Sequence, residues 1–196
     1  MGTRGLWGFR YQKKDKLTYN HYDSYPTGLG EIIRKFVEEH SVAELKKIAT
    51  KIELVDKDTK PTKTQIQNCA KWTDLTVSNQ STEDWYCLLR EAQGSPESYA
   101  SDLKYMIDSK EFIKDSLFCE YAYIINLDTE KVEFYIGFQN TPQKNRYKTT
   151  TAEIKKMNKE NPVGEPYYNC KLHMEIPIKE FRKTPMTMLE RSTSEN

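Results

Sequence analysis

Apolar residues recur along the 196-residue chain with two different periods, and these divide it into strand and helix segments. RGLWGFRYQ alternates Gly5, Trp7, Phe9 and Tyr11 with Arg4, Leu6, Gly8 and Arg10, as a strand does. KKDK then supplies a turn and LTYNHY a second strand, which together predict an N-terminal β-hairpin. FCEYAYIINL is apolar at almost every position and reads as a central strand covered on both faces. After the turn DTEK, VEFYIGF places Val132, Phe134, Ile136 and Phe138 on one side, completing a second antiparallel hairpin. The last strand alternates Tyr168, Cys170, Leu172, Met174 and Ile176 with Asn169, Lys171, His173 and Glu175, predicting one buried face.

Helical spacing appears between these strands. Past Pro26, Gly28 and Gly30, the residues Ile32, Ile33, Phe36 and Val37 mark one helical face. Ser41 with Glu44 has the form of a capping box, and Val42, Leu45, Ile48, Ile52 and Val55 continue as a second amphipathic helix. Trp85, Leu88 and Leu89 suggest a helix stopped by Gly94, and Ser95-Pro96-Glu97 opens another through Tyr99, Leu103 and Met106. Asp56 to Ser81 reads as loop with a short packed turn at Ile66, Cys69, Ala70 and Trp72, and Asn140 to Glu160 holds at most a short helix around Ala152 to Met157. The order predicts an α+β fold: an antiparallel β-sheet layered against amphipathic helices in one domain over 1–185. The tail 186–196 has little to bury and is expected to fray.

Composition changes this picture only modestly. Thirty basic residues against twenty-nine acidic ones leave a net charge of +1, which gives no support to a nucleic-acid duplex or an anionic membrane as partner. No apolar run approaches the roughly 20 residues that span a bilayer, and the N-terminus lacks a signal-peptide pattern, so the expected location is cytoplasmic. Cys69, Cys87, Cys119 and Cys170 lack the short spacing of a zinc or redox motif and read as reduced thiols. No metal and no cofactor is expected.

Chemistry concentrates in YNHYDSYPTGLG, residues 19–30. Strand alternation puts Tyr19, His21 and Asp23 in one row and Asn20, Tyr22 and Ser24 in the other. An amide-rich turn running into a helix can hold an anion, which TGLGEII could do, although it lacks the Lys-Ser/Thr pair of a Walker motif. His21 with Asp23 has the form of an acid–base pair, but His40 and His173 show no metal-ligand spacing with it. Each residue also has a structural use, since Asp23 and Ser24 cap turns, Asn20 bonds nearby backbone, and Tyr25-Pro26 packs a corner.

The opening resembles an uncharacterised family of small proteins encoded by phages, prophages, bacteria and some fungi. The resemblance rests on Thr3, Arg4, Gly5, Tyr19, Asn20, His21, Asp23, Tyr25, Pro26, Gly28 and Gly30, with a weaker match over CEYAYIINLDTEKVEFYIGF. It implies a shared corner and a phage-type setting, in which capturing a nucleotide signal or blocking a host protein would counter host defence. A more distant similarity is to N-terminal nucleophile hydrolases, through the first hairpin and the NHYD segment Asn20 to Asp23. That resemblance implies Thr3 as nucleophile after removal of Met1 and Gly2, with Asn20 and Asp23 orienting the reaction.

Three functions stay open at this stage. The first is a binding protein that holds a small polar or nucleotide-like ligand, or a host protein, through Arg4, Trp7, Tyr19, Asn20, His21, Asp23, Ser24, Tyr25, Gly28 and Gly30. The second is the Thr3 amidohydrolase, and the third a structural or assembly role.

Overall fold

The computed structural model describes residues 2–160 and 166–194. Strands β1 (Gly5–Tyr11) and β2 (Lys14–Asn20) form the expected N-terminal hairpin. Its turn is tighter than KKDK suggested: Gln12 and Lys13 occupy the left-handed region at φ 51° and 61°, and Asp128 accepts from both of their amides at 2.7 and 2.8 Å. An acceptor far away in sequence therefore fixes the turn.

Past a single π-helical turn at Pro26–Gly30 come helices α1 (Glu31–Glu39) and α2 (Val42–Lys51). The capping box forms, with the Ser41 hydroxyl accepting the Glu44 amide at 3.3 Å and the Glu44 carboxylate accepting the Ser41 amide at 2.7 Å. Val55 does not extend α2 as its spacing suggested. Lys16 Nζ donates to the carbonyls of Ala49 and Ile52 at 2.7 and 2.5 Å, satisfying the helix end there. Val55 instead ends β3 (Glu53–Val55), which pairs in parallel with β4 (Tyr105–Ile107).

The segment read as loop contains α3 (Lys63–Cys69), capped by Thr62 and Gln65 and continued by a 3-10 turn that buries Trp72. Then follow α4 (Trp85–Leu88), a 3-10 turn at Arg90–Ala92, and the short α5 (Glu97–Ala100). The latter stops well before Met106, which lies in β4. The remaining elements are β5 (Tyr121–Asn126), β6 (Lys131–Ile136), α6 (Thr151–Glu160), β7 (Lys171–Pro177), α7 (Ile178–Phe181) and α8 (Met186–Ser194).

The main sheet runs β2-β1-β5-β6-β7 and is antiparallel except for the parallel β1–β5 pair. Trp7, Phe9, Tyr123, Ile125, Val132 and Phe134 face the helices, meeting Ile33, Phe36 and Val37 of α1 and Leu45 of α2. On the other face Leu6, Leu17, Ala122, Ile124 and Tyr135 pack against Ile113, Cys119 and Tyr147 from connecting segments. Central β5 is covered on both sides, as its continuous apolar run predicts.

Two strand-end expectations fail for local reasons. β7 carries a bulge, so that Met174 pairs with Phe134 while Leu172 pairs with Tyr135, and the extra residue is His173. Leu172 and Met174 consequently join opposite cores instead of one buried face. Phe138 leaves the row of β6 altogether, at φ 56° and 56% exposed. The expected fraying of the tail also gives way: through 194 it forms α8, with Met186 and Leu189 buried and the Thr27 hydroxyl donating to the Glu190 carboxylate at 3.2 Å. Residues 195 and 196 lie outside the described residues.

Candidate ligand cleft at the N-terminal corner

The chain turns sharply where β2 ends, and buried polar groups hold that turn. Asn20 Nδ2 donates to the Ser24 hydroxyl at 2.8 Å and to the Tyr22 carbonyl, while the Ser24 amide donates to the Thr3 carbonyl at 3.1 Å. The Tyr123 hydroxyl reaches across from β5 to the Ser24 carbonyl at 3.0 Å. Ser24 and Asn20 are thus buried structural groups, as is Trp7, which lies in the helix-side core.

The glycines serve close packing. A side chain on Gly28 would strike the Asp23 carbonyl, and one on Gly30 would come within 3.1 Å of the Tyr123 ring. The amides of Gly28 and Gly30 donate to the Tyr25 carbonyl at 3.0 and 3.4 Å, and that of Leu29 to the Asp23 carbonyl at 2.8 Å. Those donors are spent, so this turn is not the open anion nest that TGLGEII suggested. Asp23 takes a left-handed conformation, φ 51°, and is exposed, which takes it out of the row with His21. Thr3 is half-buried, and no hydrogen bond joins its side chain to Asn20 or Asp23. The processing that would expose Thr3 concerns Met1, which lies outside the described residues.

What remains facing outward is a cationic and aromatic cluster. The Tyr19 hydroxyl and His21 Nδ1 are 2.6 Å apart, the His21 and Tyr22 rings meet edge-on at 4.3 Å, and Tyr19 meets Phe112 edge-on at 5.1 Å. Arg4 lies over the Phe118 ring at 4.9 Å, and Arg90 over Tyr22 and Tyr86 at 5.2 and 6.0 Å. Arg90 also donates to the Gln93 side chain at 3.1 Å. Neither guanidinium forms an ion pair among the described residues, in contrast to Arg10 with Asp15, Arg34 with Glu31 and Arg146 with Glu133.

Arg4, Tyr19, Tyr86, Gln93 and Phe112 line a cleft of about 750 Å³ alongside the outer edge of β2. Its floor is apolar, formed by Leu89 and Ala92, with Tyr99 beside them. The volume suits a ligand the size of a nucleotide. Carboxylates also line it, and most are already matched. Asp108 pairs with Lys110 at 3.3 Å and Glu111 with Lys114 at 2.8 Å. At Asp84, burial is outweighed by hydrogen bonds from Ser78, Tyr86 and Asn79, and the carboxyl is held below its ordinary range. Asp115 is different, because burial pushes its carboxyl up against the opposing pull of the Phe118 and Leu117 amides and of Arg4.

Of the residues singled out from the sequence, Arg4 and Tyr19 line the cleft, and His21 lies beside it through its contact with the Tyr19 hydroxyl. Tyr86, Tyr99, Phe112 and Asp115 join them from distant segments, with Arg90 over the Tyr86 ring. Tyr86 and Arg90 are close in sequence but fall on α4 and the following 3-10 turn, and nothing in their spacing marks them as a site. His40 and His173 lie elsewhere, bonded to Glu97 at 3.2 Å and Ser192 at 2.9 Å. Among the described residues no group of three or more His, Cys, Asp and Glu side chains is placed to hold a metal. All four cysteines are free and buried, and no described helix is long and apolar enough to cross a membrane. No protein-family model, curated protein or solved structure matches this chain.

Proposed function

We propose that the protein binds a small anionic, nucleotide-like ligand in the cleft beside β2, without chemistry of its own. One observation carries the reading: the Arg4 guanidinium lines an aromatic-walled cleft and that of Arg90 lies against its wall residues Tyr86 and Gln93, with no carboxylate paired to either among the described residues. An arginine is normally matched when it is held in place by its neighbours, and its planar fork suits phosphate oxygens. Rings of Tyr19, Tyr86 and Phe112 offer stacking surface for the rest of such a ligand. The resemblance to phage-encoded proteins gives this capture a purpose, sequestering a nucleotide signal of host defence.

The test is a titration of adenosine, guanosine, cytidine and uridine 5′-monophosphates into the isotope-labelled protein, followed by amide NMR. The reading predicts shifts confined to the cleft lining and its immediate neighbours, residues 4, 18–19, 57–58, 78–79, 84–93, 99, 107–112 and 115. Unperturbed spectra at millimolar ligand, or shifts scattered over the opposite sheet face, would overturn it.

A further inference from the structure

Tyr99 is 2% exposed, yet it lines the cleft. Its ring is fixed edge-on against Trp7 at 5.7 Å, and its hydroxyl makes no hydrogen bond within the described residues. The indole N–H groups of Trp7 and Trp85 and the Tyr147 hydroxyl are also unpartnered among the described residues, but of these four residues Tyr99 alone lines the cleft. A deeply placed hydroxyl without a protein partner retains its full hydrogen-bonding demand, and here the cleft is where a partner can come from.

We propose that Tyr99 is the specificity-determining residue of the cleft: its hydroxyl takes the polar edge of a nucleobase, so that a nucleoside monophosphate enters base first and leaves its phosphate at Arg4 and Arg90. This rests on the reading of the cleft as an anion-binding site. Burial sets the direction of entry. Leu89 and Ala92, at 4% and 2% exposure, flank Tyr99 at the floor and would desolvate the hydroxyls of a bare sugar without replacing their hydrogen bonds. A flat ring buries its faces against such residues at little cost and needs hydrogen bonds only at its edge. The phosphate stays at the half-exposed mouth, where Arg4 stands. A tyrosine hydroxyl both donates and accepts, so it can meet an amino or a carbonyl edge.

Calorimetric titration of the four nucleoside monophosphates and ribose 5-phosphate into the wild type, Tyr99→Phe and Arg4→Gln separates the two claims. Tyr99→Phe keeps the ring against Trp7, and an unchanged thermal melt confirms its fold. The expected result is a loss of about 10-fold in affinity for the preferred monophosphate in Tyr99→Phe, one hydrogen bond's worth, with weak ribose 5-phosphate binding unchanged. Arg4→Gln is expected to weaken both ligands. Equal affinity of wild type and Tyr99→Phe for every base, with Arg4→Gln still weakened, would overturn the role of Tyr99 and leave the anion site standing. No binding by the wild type, or binding indifferent to Arg4→Gln, would overturn the anion site itself.

Discussion

The Tyr19 hydroxyl lies 2.6 Å from Nδ1 of His21, and the surrounding charge decides where the proton sits. Burial raises the Tyr19 phenol, against the opposing effect of Arg4 and Arg90, so it keeps its hydrogen. Burial first, then Arg90 and Arg4, lower His21, so its imidazole is neutral at pH 7. The phenol therefore donates to Nδ1, and the ring carries its own hydrogen on Nε2. His21 enters the site as a neutral donor.

His21 is accordingly predicted to titrate below its ordinary 6.5 in an NMR pH series. Arg90→Gln removes one cause and should move the midpoint upward. The unfolded state binds more protons between the lowered folded value and 6.5. The contribution of His21 to stability is therefore fully present above 6.5 and declines as pH falls through the folded value. A midpoint at or above 6.5 would contradict the buried, cation-flanked placement.

Asn20→Ala should destabilise the fold by about 1–3 kcal/mol, since it strips donors from the buried Ser24 hydroxyl and the Tyr22 carbonyl. Urea denaturation measures this. A change within a few tenths would show that the corner is not held as described.

On the far face of the sheet, buried Glu133 accepts from Arg146 at 2.6 and 2.8 Å, Asn126 at 2.6 Å and Tyr135 at 2.9 Å. Arg146→Met leaves that carboxylate without its counter-charge and should cost about 3–5 kcal/mol. Adding Glu133→Gln should recover part of the loss. A double variant no more stable than Arg146→Met would argue against the pairing as the source of the cost.

Thr3 meets the corner through its backbone carbonyl, which accepts from Ser24. Thr3→Ala is expected to leave nucleotide affinity unchanged and the melting temperature within a degree or two. An amide-cleaving activity in the wild type, abolished by this change, would restore the N-terminal nucleophile reading in place of simple binding.

The strand pattern was legible where burial is two-sided or where both pairing partners are close in sequence, as in the N-terminal hairpin and β5–β6. It misled where the deciding contact comes from far away. Lys16 ends α2 from another element, a bulge at His173 redirects β7, and the π-helical turn supplies the surface on which α8 docks. The functional corner divides in the same way. Most of its densest local motif, Asn20 to Gly30, is spent on holding the turn, and the outward-facing Arg4, Tyr19 and Tyr22 take partners from residues 86–118, which no local spacing could assemble.

The most direct measurement is the affinity of the wild type and of the Arg4→Gln/Arg90→Gln double variant for the best-binding nucleoside monophosphate, by calorimetry at low and moderate salt. The cleft reading predicts measurable binding that weakens with salt, and a loss of at least about 100-fold in the double variant, one factor of ten for each lost charged contact. Equal affinity in the two proteins would contradict it.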